Sequence, residues 1–162
     1  MKHIDNVNRQ ILNILQEQGS ITNSELAAKV GMAPPTVLER VKKLERLGVI
    51  KKYVALVDEQ KIGRGIIAFV SISVADHSSQ AIKNFNKEIH NLNQVLECYH
   101  ITGEKDYLLK VIVKDIPAYE AFALDKLAAL PNIGKISTMF VLSTIKQDTK
   151  IEIEEGDSLI RQ

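Results

Sequence analysis

The sequence predicts an α+β protein made of an N-terminal group of three helices and a C-terminal four-stranded sheet with two helices. Three observations lead to this fold class. Apolar residues recur at helical spacing before residue 48, the later half contains four runs rich in β-branched residues, and helical patterns separate those runs in the order βαββαβ. The 162 residues, 45% of them hydrophobic, suit one domain or two small ones.

Capping residues set the bounds of the first two predicted helices. Asp5 is placed to cap a first helix that runs to Gln18. Thr22 and Glu25 have the T-x-x-E spacing of a capping box, so a second helix is expected at about residues 23–30. Each helix has an apolar stripe, formed by Val7, Ile11, Ile14 and Leu15 in the first and by Leu26 and Val30 in the second.

A third helix is predicted from Pro34, since proline is tolerated at the first helical position, and Gly48 is expected to end it. Its apolar face consists of Val37, Leu38, Val41, Leu44 and Leu47. Its polar face consists of Glu39, Lys42, Lys43 and Arg46, with Thr36 and Arg40 at the edge. Such a series of helices is a helix-turn-helix arrangement, whose last helix enters a DNA groove. A strand is expected to follow at 49–57.

The polar face of the third helix is the predicted DNA contact. Residues 1–64 contain 11 Lys and Arg against 7 Asp and Glu, a net charge of +4, whereas the remainder carries −3. Basic side chains bind DNA by displacing counterions from its phosphates. The expected contacts are Pro35, Thr36, Glu39, Arg40 and Lys43, with Lys42 and Arg46 as supporting phosphate contacts. Alternatively, the face is an ordinary solvated surface, on which Glu39 pairs with Lys43.

The second half is predicted to contain two helices and four strands. The strands are expected at 66–74, 95–102, 107–113 and 136–145, and the helices are expected to begin at Ser78 or Ser79 and at Asp115 with Pro117. The order βαββαβ is that of the ferredoxin-like fold. The predicted domain bounds are 1–60 for the helix-turn-helix domain with its following strand, 61–65 for a linker, 66–150 for the ferredoxin-like domain and 151–162 for a C-terminal tail.

Two helices cover only one face of a four-stranded sheet, yet the predicted strands carry apolar residues on both faces. Apolar residues occur at both parities: Ile66, Ala68, Val70 and Ile72 alternate with Ile67 and Phe69, and Leu109, Val111 and Val113 alternate with Leu108 and Ile112. Because a large apolar surface in water is unfavourable, we expect a homodimer in which two copies pack sheet to sheet. A two-fold dimer would also present two DNA-contacting helices to two half-sites.

Five segments between Ile4 and Lys150 form a specific combination: IDNVNRQILNILQEQGSITNSELAAKVGM, PPTVLERVKKLERLGVIKKYVALVD, ECYHITGEKDYLLKVIVKD, IPAYEAF and MFVLSTIK. Together they resemble the Lrp/AsnC family of leucine-responsive and asparagine-responsive transcriptional regulators. The resemblance implies a winged or wing-like helix-turn-helix, a C-terminal ligand-sensing domain often called RAM, and dimers that frequently assemble into octamers. It also implies sequence-specific regulation of transcription that responds to an amino acid or a related small metabolite.

The resemblance places the effector near the loop that matches Thr102–Asp106, at interfaces of the RAM domains and close to dimer–dimer contacts. Gly103 permits positive φ, exposed N–H groups of the loop can bind an α-carboxylate, and Glu104 or Asp106 can bind an α-ammonium group. The expected effector-binding residues are Ile101, Thr102, Gly103, Glu104 and Asp106, with Thr138 and Ser143 from the last strand. Without the resemblance, the same loop is an ordinary hairpin turn.

Two positions depart from the family pattern. Relatives often carry Ser at the position of Ala33, and Ser or Thr at the position of Pro35. Ala33 has no side-chain oxygen to cap the third helix, and both differences remove hydroxyl groups that can contact phosphate or a base. The operator sequences of relatives therefore do not transfer to this chain.

The sequence shows no signature of an enzyme, a metal site or a membrane span. His3, His77, His90 and His100 lack metal-ligand spacing, no nucleotide-binding or hydrolase motif occurs, and Cys98 is expected to be a buried structural thiol. We expect a cofactor-free cytoplasmic protein, and the resemblance to the Lrp/AsnC family implies a prokaryotic source and association with the nucleoid. The weaker alternatives are an enzymatic or metabolite-binding module and an RNA-binding protein, for which the strands lack stacking aromatic residues.

Overall fold

The computed structural model describes residues 2–159, which form two compact units. The first unit contains the described residues up to Leu56 together with those from Lys146 onward, and the second unit is Val57–Ile145. Residues 146–159 therefore belong to the first unit. The sequence instead predicts that residues up to 150 end the ferredoxin-like domain and that 151–162 form a separate tail. Met1 and residues 160–162, which the predicted bounds include, lie outside the described residues.

The first unit contains the three predicted helices: α1 (Asn6–Glu17), α2 (Asn23–Val30) and α3 (Pro34–Arg46). A side-chain oxygen of Asp5 accepts a hydrogen bond from the backbone N–H of Asn8 at 2.8 Å and caps α1. Thr22 and Glu25 form the predicted capping box at the start of α2. Gly31, at φ 68°, ends α2 in the left-handed conformation that opens the turn to α3.

The apolar stripes of these helices meet in a small core, formed by Ile11, Leu12, Leu26, Ala27, Val37, Val41 and Leu44. This core holds the inner face of α3, so the opposite face of that helix points to solvent. Leu47 was wrongly included in the predicted apolar face: it follows the last helical residue and is exposed.

The C-terminal segment packs along α1. Two short strands, β1 (Lys2–His3) and β6 (Ser158–Leu159), pair antiparallel. The side-chain amide of Gln16 forms two hydrogen bonds with the backbone of Ile151: it donates to the carbonyl at 3.0 Å and accepts from the N–H at 2.7 Å. Ile153 packs against the helical core. The first unit is thus completed by residues more than a hundred positions away along the chain.

The predicted strand at Val49–Val57 does not form. Val49 and Ile50 form a bend, positions 51–57 have no regular secondary structure, and within the described residues no backbone N–H of positions 51–57 donates a hydrogen bond. A strand requires a partner, and neither unit supplies one. The side chains of Val54 and Leu56 are consequently 61% and 74% exposed.

The second unit is a four-stranded antiparallel sheet with helices on one face. Its elements are β2 (Ile66–Val74), α4 (Ser79–His90), β3 (Val95–His100), β4 (Tyr107–Val113), α5 (Ile116–Ala121), a wider π-helical turn at Phe122–Leu127, and β5 (Ile133–Phe140). The strand order is β3-β4-β2-β5, which confirms the ferredoxin-like arrangement. Two predicted strand ends are wrong: β3 stops at His100 rather than Thr102, and β5 stops at Phe140 rather than Ile145.

The pairing of β2 with β5 depends on one glycine. The register between these strands shifts between Ile72 and Val74, where a bulge lies. A Cβ atom at Gly134 would stand 2.7 Å from the carbonyl oxygen of Ser73, inside van der Waals contact. Gly134 therefore permits the close approach of the two backbones at this bulge.

The two faces of the sheet differ as the alternation predicts. The face toward α4 and α5 forms a core that includes Val70, Ile72, Phe85, Leu109, Val111 and Leu127. The other face carries Ile67, Phe69, Leu108, Ile112, Tyr99 and Met139, which the register places side by side. Ile112 is buried by its neighbours, but Tyr99 and Met139 are 50% and 52% exposed. We call this second surface the open sheet face.

Candidate functional site

The outer face of α3 gathers most of the predicted DNA contacts. Six of the seven residues are exposed: Pro35, Thr36, Glu39, Lys42, Lys43 and Arg46. Among the ion pairs of the described residues, none joins Glu39 to Lys43, so both side chains remain accessible. The structure thus presents one contiguous surface with three basic side chains.

The start of α3 is well suited to an anion. Ala33 provides no side-chain cap, as its chemistry requires, and Pro34 and Pro35 occupy helical positions at which a missing N–H costs little. The first turn has no acidic residue, whereas Lys43 and Arg46 lie in the last turn. The positive end of the helix dipole is therefore not neutralised, which favours a phosphate there.

Arg40 differs from the six exposed residues because its guanidinium is held inside the first unit. Nη1 donates to Oδ2 of Asp5 at 2.7 Å and to Oδ1 of Asn8 at 3.0 Å, both at the start of α1. Partial burial opposes the ionisation of Asp5. The hydrogen bonds from Arg40 and from the backbone of Asn8 outweigh this effect and hold the pKa of Asp5 below its ordinary value. Arg40 thus connects α3 to α1.

The predicted effector loop has backbone donors that the fold leaves free. Ile101 and Asp106 close the loop, since the N–H of Ile101 donates to the carbonyl of Asp106 at 2.8 Å. Gly103 has φ 120°, as its predicted conformational role requires. In the part of the chain described, no backbone N–H of residues 102–105 donates a hydrogen bond. Such successive free donors can bind a carboxylate.

The carboxylate of Asp106, by contrast, is already used by the fold. It accepts a hydrogen bond from the N–H of Val74 at 2.8 Å and lies 3.0 Å from Nε2 of His77. The Val74 bond, followed by the His77 bond, lowers the pKa of Asp106. Asp106 therefore fastens the loop to the end of β2, and binding an ammonium group would have to compete with these bonds. Glu104 is exposed in the same loop.

Thr138 and Ser143 do not join this loop within one chain. Thr138 lies opposite Val70, and its hydroxyl shares a hydrogen bond with that of Tyr119. Ser143 follows β5 at the far end of β2, so at about 3.3 Å per residue it lies roughly 20 Å from Asp106. The sequence placed both residues on one strand, but the strand ends early and its two ends lie far apart.

A cleft that the sequence did not predict lies between α4 and β3. Its volume is about 350 Å³, and Cys98, His90, His100 and Tyr107 are among its lining residues. None of the predicted effector residues lines it. Cys98 is exposed, contrary to expectation, because β3 is an edge strand, and desolvation raises the pKa of its thiol. The edge position follows from the strand order, which spacing in the sequence does not reveal.

Among the described residues, no group of His, Cys, Asp or Glu side chains is arranged to hold a metal ion. The side chain of His3 is outside this description. Within the same part of the chain, no helix combines the length and apolarity needed to cross a membrane.

A helix-turn-helix unit with an accessible basic helix face, joined to a ferredoxin-like unit with a loop of free backbone N–H donors, is typical of one class: DNA-binding transcriptional regulators that carry a ligand-binding domain. Two family profiles match this chain in the same order. The profile described as winged helix-turn-helix DNA-binding covers residues 4–51, and that described as Lrp/AsnC ligand binding domain covers residues 67–151. The chain belongs to the Lrp/AsnC family of transcriptional regulators.

Relatives match over nearly the whole chain. The transcriptional regulator AzlB of Bacillus subtilis is 38% identical over 152 residues, which cover 94% of this chain and 97% of AzlB. The leucine-responsive regulatory protein of Escherichia coli K12 is 35% identical, with 94% and 93% covered. This likeness extends across both units, so the chain is a transcriptional regulator of the Lrp/AsnC type rather than a protein that shares a single domain with one.

Solved structures agree with the fold. A transcriptional regulator from Neisseria meningitidis in complex with L-Met has a TM-score of 0.86 at 34% identity, and 91% of this chain and 95% of that one are covered. An AsnC family regulator from Agrobacterium tumefaciens has a TM-score of 0.85 at 38% identity, with the same coverage.

Proposed function

We propose that this regulator binds operator DNA through the exposed face of α3, as a homodimer or a larger assembly of dimers, and that an α-amino acid changes its DNA affinity. The single observation that carries the DNA part is the contiguous basic face of α3, opposite a packed core. The L-Met complex of the Neisseria relative supports the class of effector. The protein would act on chromosomal DNA in the cytoplasm of a prokaryotic cell.

The DNA interface is tested by the salt dependence of binding. Each phosphate contact contributes about −0.9 to the slope of log K against log salt. Lys43→Ala in α3 should therefore weaken binding and flatten the slope by about 0.9 per subunit, because Lys43 is exposed on the proposed face. Lys87→Ala, an exposed lysine at the end of α4, is the matched control and should leave both values unchanged. Equal slopes for the two variants would remove α3 from the interface.

Two unpartnered apolar surfaces support the homodimer. The open sheet face leaves Tyr99 and Met139 half exposed, and among the described residues the segment 51–57 has no partner for its backbone N–H groups. A second copy can cover the sheet face and can pair with this segment, as antiparallel strands do across a two-fold axis. The predicted strand at 49–57 would then form only in the assembly.

Light scattering on the purified full chain tests this arrangement. The unmodified chain should have the mass of a dimer or a multiple of it, and Met139→Glu should shift the equilibrium toward the monomer because a charge would be buried against the second sheet. Leu124→Glu provides the control, since Leu124 is 65% exposed and lies on the π-helical turn outside the sheet. A monomeric unmodified chain at micromolar concentration would refute the dimer.

The effector part rests on the free N–H groups of residues 102–105 and on Glu104, which can bind the α-carboxylate and the α-ammonium group respectively. A thermal-shift screen of the proteinogenic amino acids should find at least one that raises the melting temperature. Glu104→Ala should abolish that rise, whereas Glu120→Ala, an exposed glutamate on α5, should retain it. If no amino acid shifts the unmodified chain, the effector proposal fails and the DNA proposal stands.

Ser143 and Thr138 can take part only if another copy brings them close. Ser143 lies roughly 20 Å from the loop of its own chain by strand length. An effector site shared between copies would include Ser143 from a neighbouring subunit, and it would couple effector binding to the size of the assembly. Light scattering with and without the effector found in the screen measures this coupling.

A further inference from the structure

The central basic residue of α3 forms a connection that none of its neighbours has. The two carboxylate oxygens of Asp5 have separate partners: one accepts from the backbone N–H of Asn8 and caps α1, and the other accepts from Nη1 of Arg40 at 2.7 Å. The same nitrogen donates to the side chain of Asn8 at 3.0 Å. The start of α1 and the middle of α3 are therefore joined at one point.

This geometry makes Arg40 a poor candidate for a DNA contact. Its side chain is only 30% exposed, whereas the six other candidates are exposed to solvent. To reach a phosphate, Arg40 would have to give up two charge-assisted hydrogen bonds, one of them to a carboxylate. Arg40 also precedes the buried Val41 in the helix and borders the packed face.

We infer that Arg40 is a positioning residue: it fixes α3 on the start of α1 and thereby sets the orientation of the DNA-contacting face. This role replaces the direct contact that the sequence predicts for Arg40, and it rests on the proposed DNA interface. A helix inserted into a groove makes all its contacts together, so a small rotation of α3 weakens every one of them. In a dimer, the same rotation disturbs both half-sites.

The decisive variant is Asp5→Ser, because it separates the two functions of Asp5. Serine is a good helix cap, so α1 keeps its capped start, but the partner of Arg40 is lost. If Arg40 positions α3, Asp5→Ser lowers DNA affinity, by about fivefold for an ion pair of this exposure. If Arg40 instead contacts DNA, the same variant leaves affinity unchanged or raises it, because it frees the guanidinium and removes a negative charge. The two readings thus predict opposite signs.

Arg40→Ala and the double variant complete the cycle. If Arg40 is a positioning residue, removing Arg40 lowers DNA affinity in the same way as removing its partner Asp5. The double variant Asp5→Ser/Arg40→Ala should therefore bind DNA no more weakly than Arg40→Ala alone. The salt slope of Arg40→Ala should match that of the unmodified protein, whereas loss of a phosphate contact would flatten it by about 0.9 per subunit. Asn8→Ala, which removes the second acceptor, should lower affinity in the same direction by a smaller factor.

Binding is measured by fluorescence anisotropy with the full chain and a labelled duplex that the unmodified protein has selected from a random-sequence library. Asp115→Ser is the matched control, since Asp115 caps α5 in the other unit and undergoes the same substitution. Circular dichroism at the binding temperature confirms that each variant is folded, so that a loss of affinity is not a loss of structure.

The outcomes separate the inference from the proposed function. A fall in affinity for Asp5→Ser with an unchanged salt slope for Arg40→Ala supports the positioning role. An unchanged or increased affinity for Asp5→Ser overturns it, even if Lys43→Ala still behaves as a DNA contact. If the library yields no selected duplex for the unmodified protein, the proposed function fails and the positioning role fails with it.

Discussion

Replacing Gln16 by alanine tests whether the C-terminal segment is part of the DNA-binding unit. The Gln16 side chain forms two hydrogen bonds with the backbone of Ile151, at 3.0 and 2.7 Å. A hydrogen bond contributes about 0.5–1.5 kcal/mol to the free energy of unfolding. Because water competes at this surface, we take the lower half of that range, which gives about 1–2 kcal/mol for the two bonds. For a unit of this size, such a loss lowers the melting temperature by roughly 4–16 °C.

Differential scanning calorimetry on the full chain measures this shift, and hydrogen exchange locates it. Gln16→Ala should lower the transition of the first unit and speed exchange at the N–H of Ile151. Gln10→Ala is the control: Gln10 is exposed on the same helix, so its removal should change stability by less than about 0.5 kcal/mol. If Gln16→Ala behaves like Gln10→Ala, the packing of the segment on α1 contributes nothing and the assignment of residues 146–159 to this unit is refuted.

Three further substitutions test the second unit. Gly134→Ala should destabilise it by about 1–3 kcal/mol in urea titrations, because the added Cβ overlaps a backbone carbonyl, whereas Gly65→Ala, which meets only ordinary contacts, should be nearly neutral. Leu109→Ala should lower the free energy of unfolding by about 2.7–5 kcal/mol because its side chain is fully buried. Leu124→Ala, at an exposed site, should lower it far less. Equal losses for the two variants would contradict the assigned core. The pKa of Asp106 is lowered from 3.8, so its ionised form stabilises the fold above that value and the stabilisation is lost as the pH falls below it. Asp106→Ala should remove this acid dependence. If the urea midpoint of the variant still falls with pH in parallel with that of the unmodified chain, the hydrogen bonds of Asp106 do not stabilise the fold.

The bounds of the helices could be read from single residues because capping acts over three or four positions. Asp5 and Thr22 occupy the predicted N-cap positions; Ser78, one of the two predicted starts of α4, and Asp115, at the predicted start of α5, are the N-caps of those helices. The ferredoxin-like order was also predictable, since the alternation of strand and helix patterns leaves few topologies. The candidate DNA face followed from helical spacing alone, because spacing decides which side chains share a face.

The errors share one physical cause. The strand at 49–57 was predicted from its β-branched residues, but a strand forms only where another backbone supplies its hydrogen bonds. The distance between Ser143 and the effector loop of its own chain likewise depends on the antiparallel register, which sends Ser143 to the opposite end of β2. The exposure of Cys98 depends on which strand lies at the edge of the sheet.

The sequence by itself determined the helices, the order of the strands and the polar face of α3, because each depends on residues that are neighbours along the chain. Only the tertiary structure decided that Arg40 holds Asp5, 35 positions away, and that Gln16 holds Ile151, 135 positions away. No local pattern encodes such pairs, since a side chain selects its partner from whatever the packing of the whole unit brings within hydrogen-bond distance.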